Sequence, residues 1–142
     1  MEKINLFCFG FGQVAMNFVK LLEYKKVNFN LTITSTSKTE KRRFENIEYQ
    51  NLFFDEKNFD ENLDKKLEEA NYVLVSIPPV NDQDIVIKNF ENKLINKNIK
   101  WITYLSATSV YGNHDGEWVN EKSRTNPTSI NGVNRLKAEK SW

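Results

Sequence analysis

Ile4-Asn5-Leu6-Phe7-Cys8-Phe9-Gly10-Phe11-Gly12-Gln13-Val14-Ala15 is an apolar run that ends in two glycines and passes at once into an amphipathic segment. That is the order strand, tight turn, helix. Gly10 can take a backbone conformation closed to residues with a Cβ, and Gly12 lets a pyrophosphate come close to the main chain. Ala15 stands where a third small residue lets the helix pack on the strand. The helix start at Gln13 and Val14 offers free N–H groups and a partial positive charge to phosphates. With Phe11 between the glycines, residues 10–14 form a candidate dinucleotide cradle. The strand before and the helix after give G-x-G-x-x-A its weight.

Downstream, Val14, Phe18, Leu21 and Leu22 repeat at helical spacing over residues 13–24. Residues 29–36 alternate and are rich in β-formers, a second strand. The charged stretch 38–44 is expected to open a short helix, and 47–54 to form a third strand ending at Asp55. Residues 59–70 suit a helix. The run 72–77 is nearly all apolar, as in a parallel strand covered on both faces, and Pro78-Pro79 stops it. A helix over 82–98, a fifth strand over 101–105, a turn-rich loop around 111–116 and a last helix over 129–142 complete the chain. Asp82 and Asp84 read as caps of the fourth helix. Strands alternating with helices imply right-handed βαβ units. The expectation is one α/β domain over residues 1–142, a Rossmann-type doubly wound parallel sheet in the order 3-2-1-4-5. Its ligand crevice lies above the carboxyl ends of strands one and four.

Composition removes other classes. The net charge is +1, which gives no long-range attraction to nucleic acid or an acidic membrane. Sixteen Lys stand against four Arg, with abundant Asn, a bias that deprives any single lysine of meaning. The lone Cys8 excludes an internal disulfide and reads as a small core residue, and the lone His114 excludes a multi-histidine metal site. With no signal-like start and no membrane-length apolar run, a soluble cytoplasmic protein is expected.

The end of the second strand bears on the nucleotide. An NAD site usually has Asp or Glu there to bond the ribose 2′-hydroxyl. Here Thr34-Ser35-Thr36-Ser37-Lys38 precedes Lys41-Arg42-Arg43, without a carboxylate at the strand end. Ser35, Thr36, Ser37, Lys38 and Arg42 suit a 2′-phosphate instead, so NADP is expected over NAD. A solvated charged helix face is the plainer reading of 41–43.

Leu105-Ser106-Ala107-Thr108-Ser109-Val110-Tyr111-Gly112 resembles the fifth-strand turn of the extended and atypical short-chain dehydrogenases/reductases, the NAD-dependent epimerase/dehydratase group often described as nucleoside-diphosphate-sugar epimerases. Val75-Ser76-Ile77-Pro78-Pro79 is similar to the turn that lies beside the cofactor in the atypical branch. Pro127, Arg135, Ala138 and Glu139 echo the region of the catalytic helix. The resemblance implies an NAD(P)-dependent oxidoreductase, epimerase or dehydratase acting on a small molecule such as a nucleotide-sugar. It implies cofactor contacts at Asp55, Ser76, Ile77, Pro78 and Ser106. It covers the first half or so of a family member, so two further strands and the small domain that builds the sugar-nucleotide pocket are expected to be missing.

The departures lie in the chemistry. Aligning on Ala138-Glu139 puts Asn131 and Arg135 at the Tyr and Lys of the family's Tyr-x-x-x-Lys, and Ala107 at its catalytic Ser/Thr. Asparagine does not titrate near neutrality, and arginine stays charged. Thr108, Tyr111 and Arg135 are the remaining catalytic candidates. His114, Asp115, Glu117 and Glu121 around Trp118 read mainly as loop-forming residues that a full-length member would close over substrate. Two functions follow: an oxidoreductase that departs from the Tyr/Lys scheme, or a non-catalytic NAD(P)-binding or sensor module.

Overall fold

The computed structural model describes residues 3–142. The glycine turn joins β1 (Ile4–Phe9) to α1 (Gln13–Tyr24), and β2 (Phe29–Ser35) follows. β3 (Glu40–Phe44) and β4 (Ile47–Phe53) form a hairpin. Then come α2 (Leu63–Glu68), β5 (Tyr72–Val75), α3 (Ile85–Leu94), β6 (Trp101–Tyr104), a 3₁₀ turn (Thr108–Val110) and α4 (Ile130–Ser141). The sheet order is β3-β4-β2-β1-β5-β6, parallel throughout except for the antiparallel β3–β4 pair.

The sheet is therefore mixed and six-stranded: the five strands expected from the sequence stand as β4-β2-β1-β5-β6, and β3 adds an antiparallel edge strand in place of the all-parallel sheet that was expected. The difference comes from residues 38–44, where a strand forms in place of a helix. Along β3, Glu40, Arg42 and Phe44 are partly covered while Lys41 and Arg43 are exposed, a period of two that the charges concealed. Phe44 is held by the ring of Phe11, 5.6 Å away and edge-on. A tight turn with Glu45 at φ 53° closes the hairpin.

α1 spans the expected residues 13–24, while α2 and α3 are shorter than their apolar patterns suggested. Asp60 forms a turn before α2, its carboxylate accepting from Asn62 N–H at 2.8 Å. Of the two expected caps of α3, only Asp84 caps it, accepting from Val86 and Ile87 N–H at 2.9 and 3.0 Å. Asp82 lies instead in a turn with Asn81, both at positive φ, between the bridged residues Val80 and Gln83. Ser129 caps α4 through Gly132 N–H at 3.1 Å.

Leu6, Cys8, Leu31 and Ile33 meet Ala15 and Val19 of α1 on one face of the sheet. Phe7, Phe9, Leu52, Val73 and Val75 meet Leu63, Leu67, Val86 and Phe90 on the other. Leu6 to Phe9 of β1 and Val73 to Val75 of β5 are covered on both sides, which is why they read as unbroken apolar runs. Cys8 is fully buried, and desolvation pushes its thiol up to about 12, so it serves as packing. No helix among the described residues is long and apolar enough to cross a membrane. The carboxyl ends of β1 and β5, adjacent and parallel, open at the point where the chain switches from one face to the other.

Candidate functional site

Gly10 sits at that point with φ +86°, the left-handed region that favours glycine. Its N–H donates to Thr34 Oγ1 at 3.1 Å, tying the turn to the end of β2. A Cβ here would lie 2.7 Å from Ile77 Cγ2 and 2.8 Å from Ser76 Oγ, so the turn is closed against the segment after β5. Ser76 is fixed in turn, its N–H and hydroxyl both donating to the carbonyl of Phe9 at 2.9 and 3.1 Å. Gly10, Ser76 and Ile77 are thus one wall, with Pro78 exposed beyond it.

Gly12 is different. It is the N-cap of α1 with φ −82° and ψ −174°, and a Cβ there would meet no atom within 4 Å. No side chain caps α1, and its first turn holds no acidic residue. The leading N–H groups, including those of Gln13 and Val14, therefore face open space with the positive end of the helix dipole behind them. That arrangement accepts an anion close to the main chain. Phe11 points sideways, its ring 5.6 Å from Phe44 and 5.2 Å from Tyr49, and so braces the glycine turn against the hairpin.

At the end of β2 the expected residues converge. Ser35 Oγ lies 2.7 Å from Ser37 Oγ and donates to Asn51 Oδ1 at 2.8 Å. Arg42 reaches back from β3, its Nη2 donating to Ser37 Oγ at 3.0 Å. Thr36 and Lys38 stand exposed at the rim. Two residues join the cluster that sequence reasoning missed. Asn51 on β4 is fully buried, and its amide donates to the carbonyls of Ser37 and Lys38 at 3.3 and 2.8 Å, clamping the loop. Glu40, whose Oε1 accepts from Arg42, brings a carboxylate that the strand end itself lacks. The Arg42 guanidinium, followed by the Lys38 charge, holds the Glu40 carboxyl below the usual range. Asp55 follows β4 and accepts from Asn58 and Lys57 N–H at 2.8 Å each, bonds that hold its carboxyl below the usual carboxylate range and commit it to its own turn.

The third group of candidates lies after β6. Ser106 and Thr108 are exposed, and Tyr111 is half-buried against His114, with ring centres 6.4 Å apart. His114 Nε2 and the Arg124 carbonyl are 3.1 Å apart, and Asn126 N–H donates to the Tyr111 carbonyl at 3.2 Å, so the loop is closed at its neck. Trp118 at its far side is fully exposed. Arg135 turns inward: its Nη1 donates to Tyr104 Oη at 3.0 Å and to the Leu105 carbonyl at 2.8 Å. It joins α4 to the end of β6. Tyr104 stacks on Trp142, whose indole N–H donates to Asp84 Oδ2 at 2.8 Å. Burial raises the Tyr104 phenol above its ordinary value despite the adjacent guanidinium. Asn131 is exposed, and Arg135 has no phenol beside it on α4.

A concavity of about 1100 Å³ lies elsewhere, between α2 and the sheet, and is lined by Asn30, Thr32, Lys41, Gln50 and Lys65 among others. It is the space that the short α2 leaves uncovered and includes neither glycine of the turn. Among the described residues no three His, Cys, Asp or Glu side chains gather into a metal-binding group.

No protein-family model and no curated protein matches the chain. Solved structures do, among them two UDP-N-acetylglucosamine 4-epimerases, a putative NAD-dependent epimerase/dehydratase and a short-chain dehydrogenase/reductase superfamily protein with bound NAD. The chain has the fold of their N-terminal portion. A functionally unknown conserved protein from Silicibacter pomeroyi matches with TM-score 0.75 and 25% identity over 97% of this chain and 48% of that one. UDP-N-acetylglucosamine 4-epimerase from Bacillus cereus matches with TM-score 0.70 and 19% identity, over 97% and 52%. MoeE5, in complex with UDP-glucose and NAD, matches with TM-score 0.65 and 19% identity, over 97% and 47%. The chain thus spans about half the length of these structures.

Proposed function

We propose that this chain is the cofactor-binding half of an NAD(P)-dependent, nucleotide-sugar epimerase/dehydratase-like oxidoreductase. The observation that carries the reading is Gly12, an open N-cap on a helix without a side-chain cap, next to a Gly10 that only glycine can fill. In this reading the N–H groups of Gly12, Gln13 and Val14 hold the pyrophosphate, while Ser76, Ile77, Pro78 and Ser106 line the nicotinamide side. Ser35, Thr36, Ser37, Lys38 and Arg42 hold the adenosine ribose, with Asp55 near the adenine. The hydroxyls and two cations at the end of β2 support NADP over NAD. When bound, the nicotinamide supplies hydride transfer. The chain's own groups orient it and exclude water.

The proton side of the chemistry differs from the family's scheme. Asn131 offers no acid or base, and Arg135 is engaged by Tyr104 and the Leu105 carbonyl. Thr108 and Tyr111 are the groups left to hold or pass a proton near the crevice. The engagement of Arg135 also favours the second reading, a module that binds NAD(P) without turnover. Incubating the protein with reduced NADP and UDP-sugars, and following hydride exchange, separates the two. Exchange that Tyr111→Phe abolishes supports the enzyme; saturable binding without exchange, indifferent to Tyr111→Phe, supports the module. Absence of any NAD(P) binding overturns both.

A further inference from the structure

The hairpin that stands in place of the expected helix brings a carboxylate to the end of β2. Glu40 and Arg42 alternate with Lys41 and Arg43 along β3, and so share the sheet face on which Phe44 meets Phe11. Glu40 Oε1 accepts from Arg42 Nε at 2.8 Å and lies 2.7 Å from Nη2. Its Oε2 lies 3.5 Å from Lys38 Nζ. One carboxylate therefore faces both cations near Ser35 and Ser37, and the cluster carries a single net positive charge instead of two. The Ser37 hydroxyl, which accepts from Arg42 Nη2 at 3.0 Å, marks where an added anion would compete with Glu40 for the guanidinium.

We propose that Glu40 is the residue that sets selectivity at this subsite, acting as an internal counter-anion for Arg42 and Lys38. The inference rests on the reading above, that a dinucleotide lies with its adenosine ribose at the end of β2. A 2′-phosphate needs the cations that Glu40 occupies and is repelled by its charge. A 2′-hydroxyl can donate to the carboxylate. Glu40 thus weakens NADP, spares NAD, and narrows the gap between them.

The test is Glu40→Gln, which keeps a carbonyl acceptor for Arg42 while removing the charge. NADP and NAD are titrated calorimetrically into both proteins at low salt, with circular dichroism and thermal unfolding to establish the fold. The expected result is about fivefold tighter NADP binding, the size of one unit-charge interaction at contact in water. NAD binding should change by less than twofold or weaken, and the NADP gain should shrink in half-molar salt. The double variant Glu40→Gln, Arg42→Met should lose most of the gain. Unchanged or weaker NADP binding by a folded Glu40→Gln overturns the role of Glu40 and leaves the dinucleotide reading intact. Failure of the unaltered protein to bind either dinucleotide overturns both.

Discussion

Gly12→Asp separates the stability of the fold from the binding of phosphate. At φ −82° and ψ −174° the N-cap of α1 already has the backbone that a capping aspartate adopts, and its Cβ would meet nothing within 4 Å. Aspartate caps better than glycine by a few tenths of a kcal/mol. Its charge at the helix start adds about 0.3–1 kcal/mol. The variant should therefore be as stable as the parent or more so, with a urea midpoint equal or higher. The same side chain fills the approach to the first N–H groups and sets a negative charge against the pyrophosphate. One charge against two at about 4 Å costs on the order of 2 kcal/mol even at the dielectric of water, or roughly thirtyfold in affinity. Calorimetric titration with NADP, beside Gly12→Ala as a control for size alone, reads this directly. A stable Gly12→Asp that binds NADP as tightly as the parent would refute the placement of phosphate at this turn.

Gly10→Ala should do the reverse, costing about 1–3 kcal/mol through positive φ and the 2.7 Å approach to Ile77 Cγ2. An unchanged urea midpoint would contradict it. Asn51→Ala leaves Ser35 and the carbonyls of Ser37 and Lys38 without their partner, and should cost about 1–3 kcal/mol. NADP binding should weaken with it, and loss of neither would show that the clamp is dispensable. Asp60 is held below its ordinary 3.8 first by the Thr39 hydroxyl at 2.6 Å. Because its folded value is lowered, its contribution is complete above about 3.8 and lost as pH falls through the lower value. Thr39→Val should thus be destabilised at pH 7 by more than at pH 3 in urea titrations; an equal gap at both would exclude the bond as the cause.

The first βαβ unit was legible because each of its signals is local. Gly10 and Gly12 mark a turn whatever surrounds them, and Val14 to Leu22 repeat at helical spacing. The run 72–77 betrays its burial by having no polar face. Residues 38–44 were not legible, because the charges that suggested a solvated helix face alternate between two sides of a strand. Their period became visible only once Phe44 had a partner in Phe11, thirty-three positions away in the chain. The roles of Glu40 and Asn51 depend on that hairpin and were hidden with it. Asp82 and Asp84 looked equivalent in sequence, yet the reversed turn at Asn81-Asp82 leaves only Asp84 at the helix start. The inward turn of Arg135 was likewise invisible, since its partners Tyr104 and Leu105 belong to another strand end.

The most direct test is an equilibrium titration of this protein with NADP and with NAD at physiological salt. The account predicts saturable one-site binding of both, tighter for NADP, and weakened for both by roughly thirtyfold in Gly12→Asp. Absence of saturable binding by either dinucleotide would contradict it.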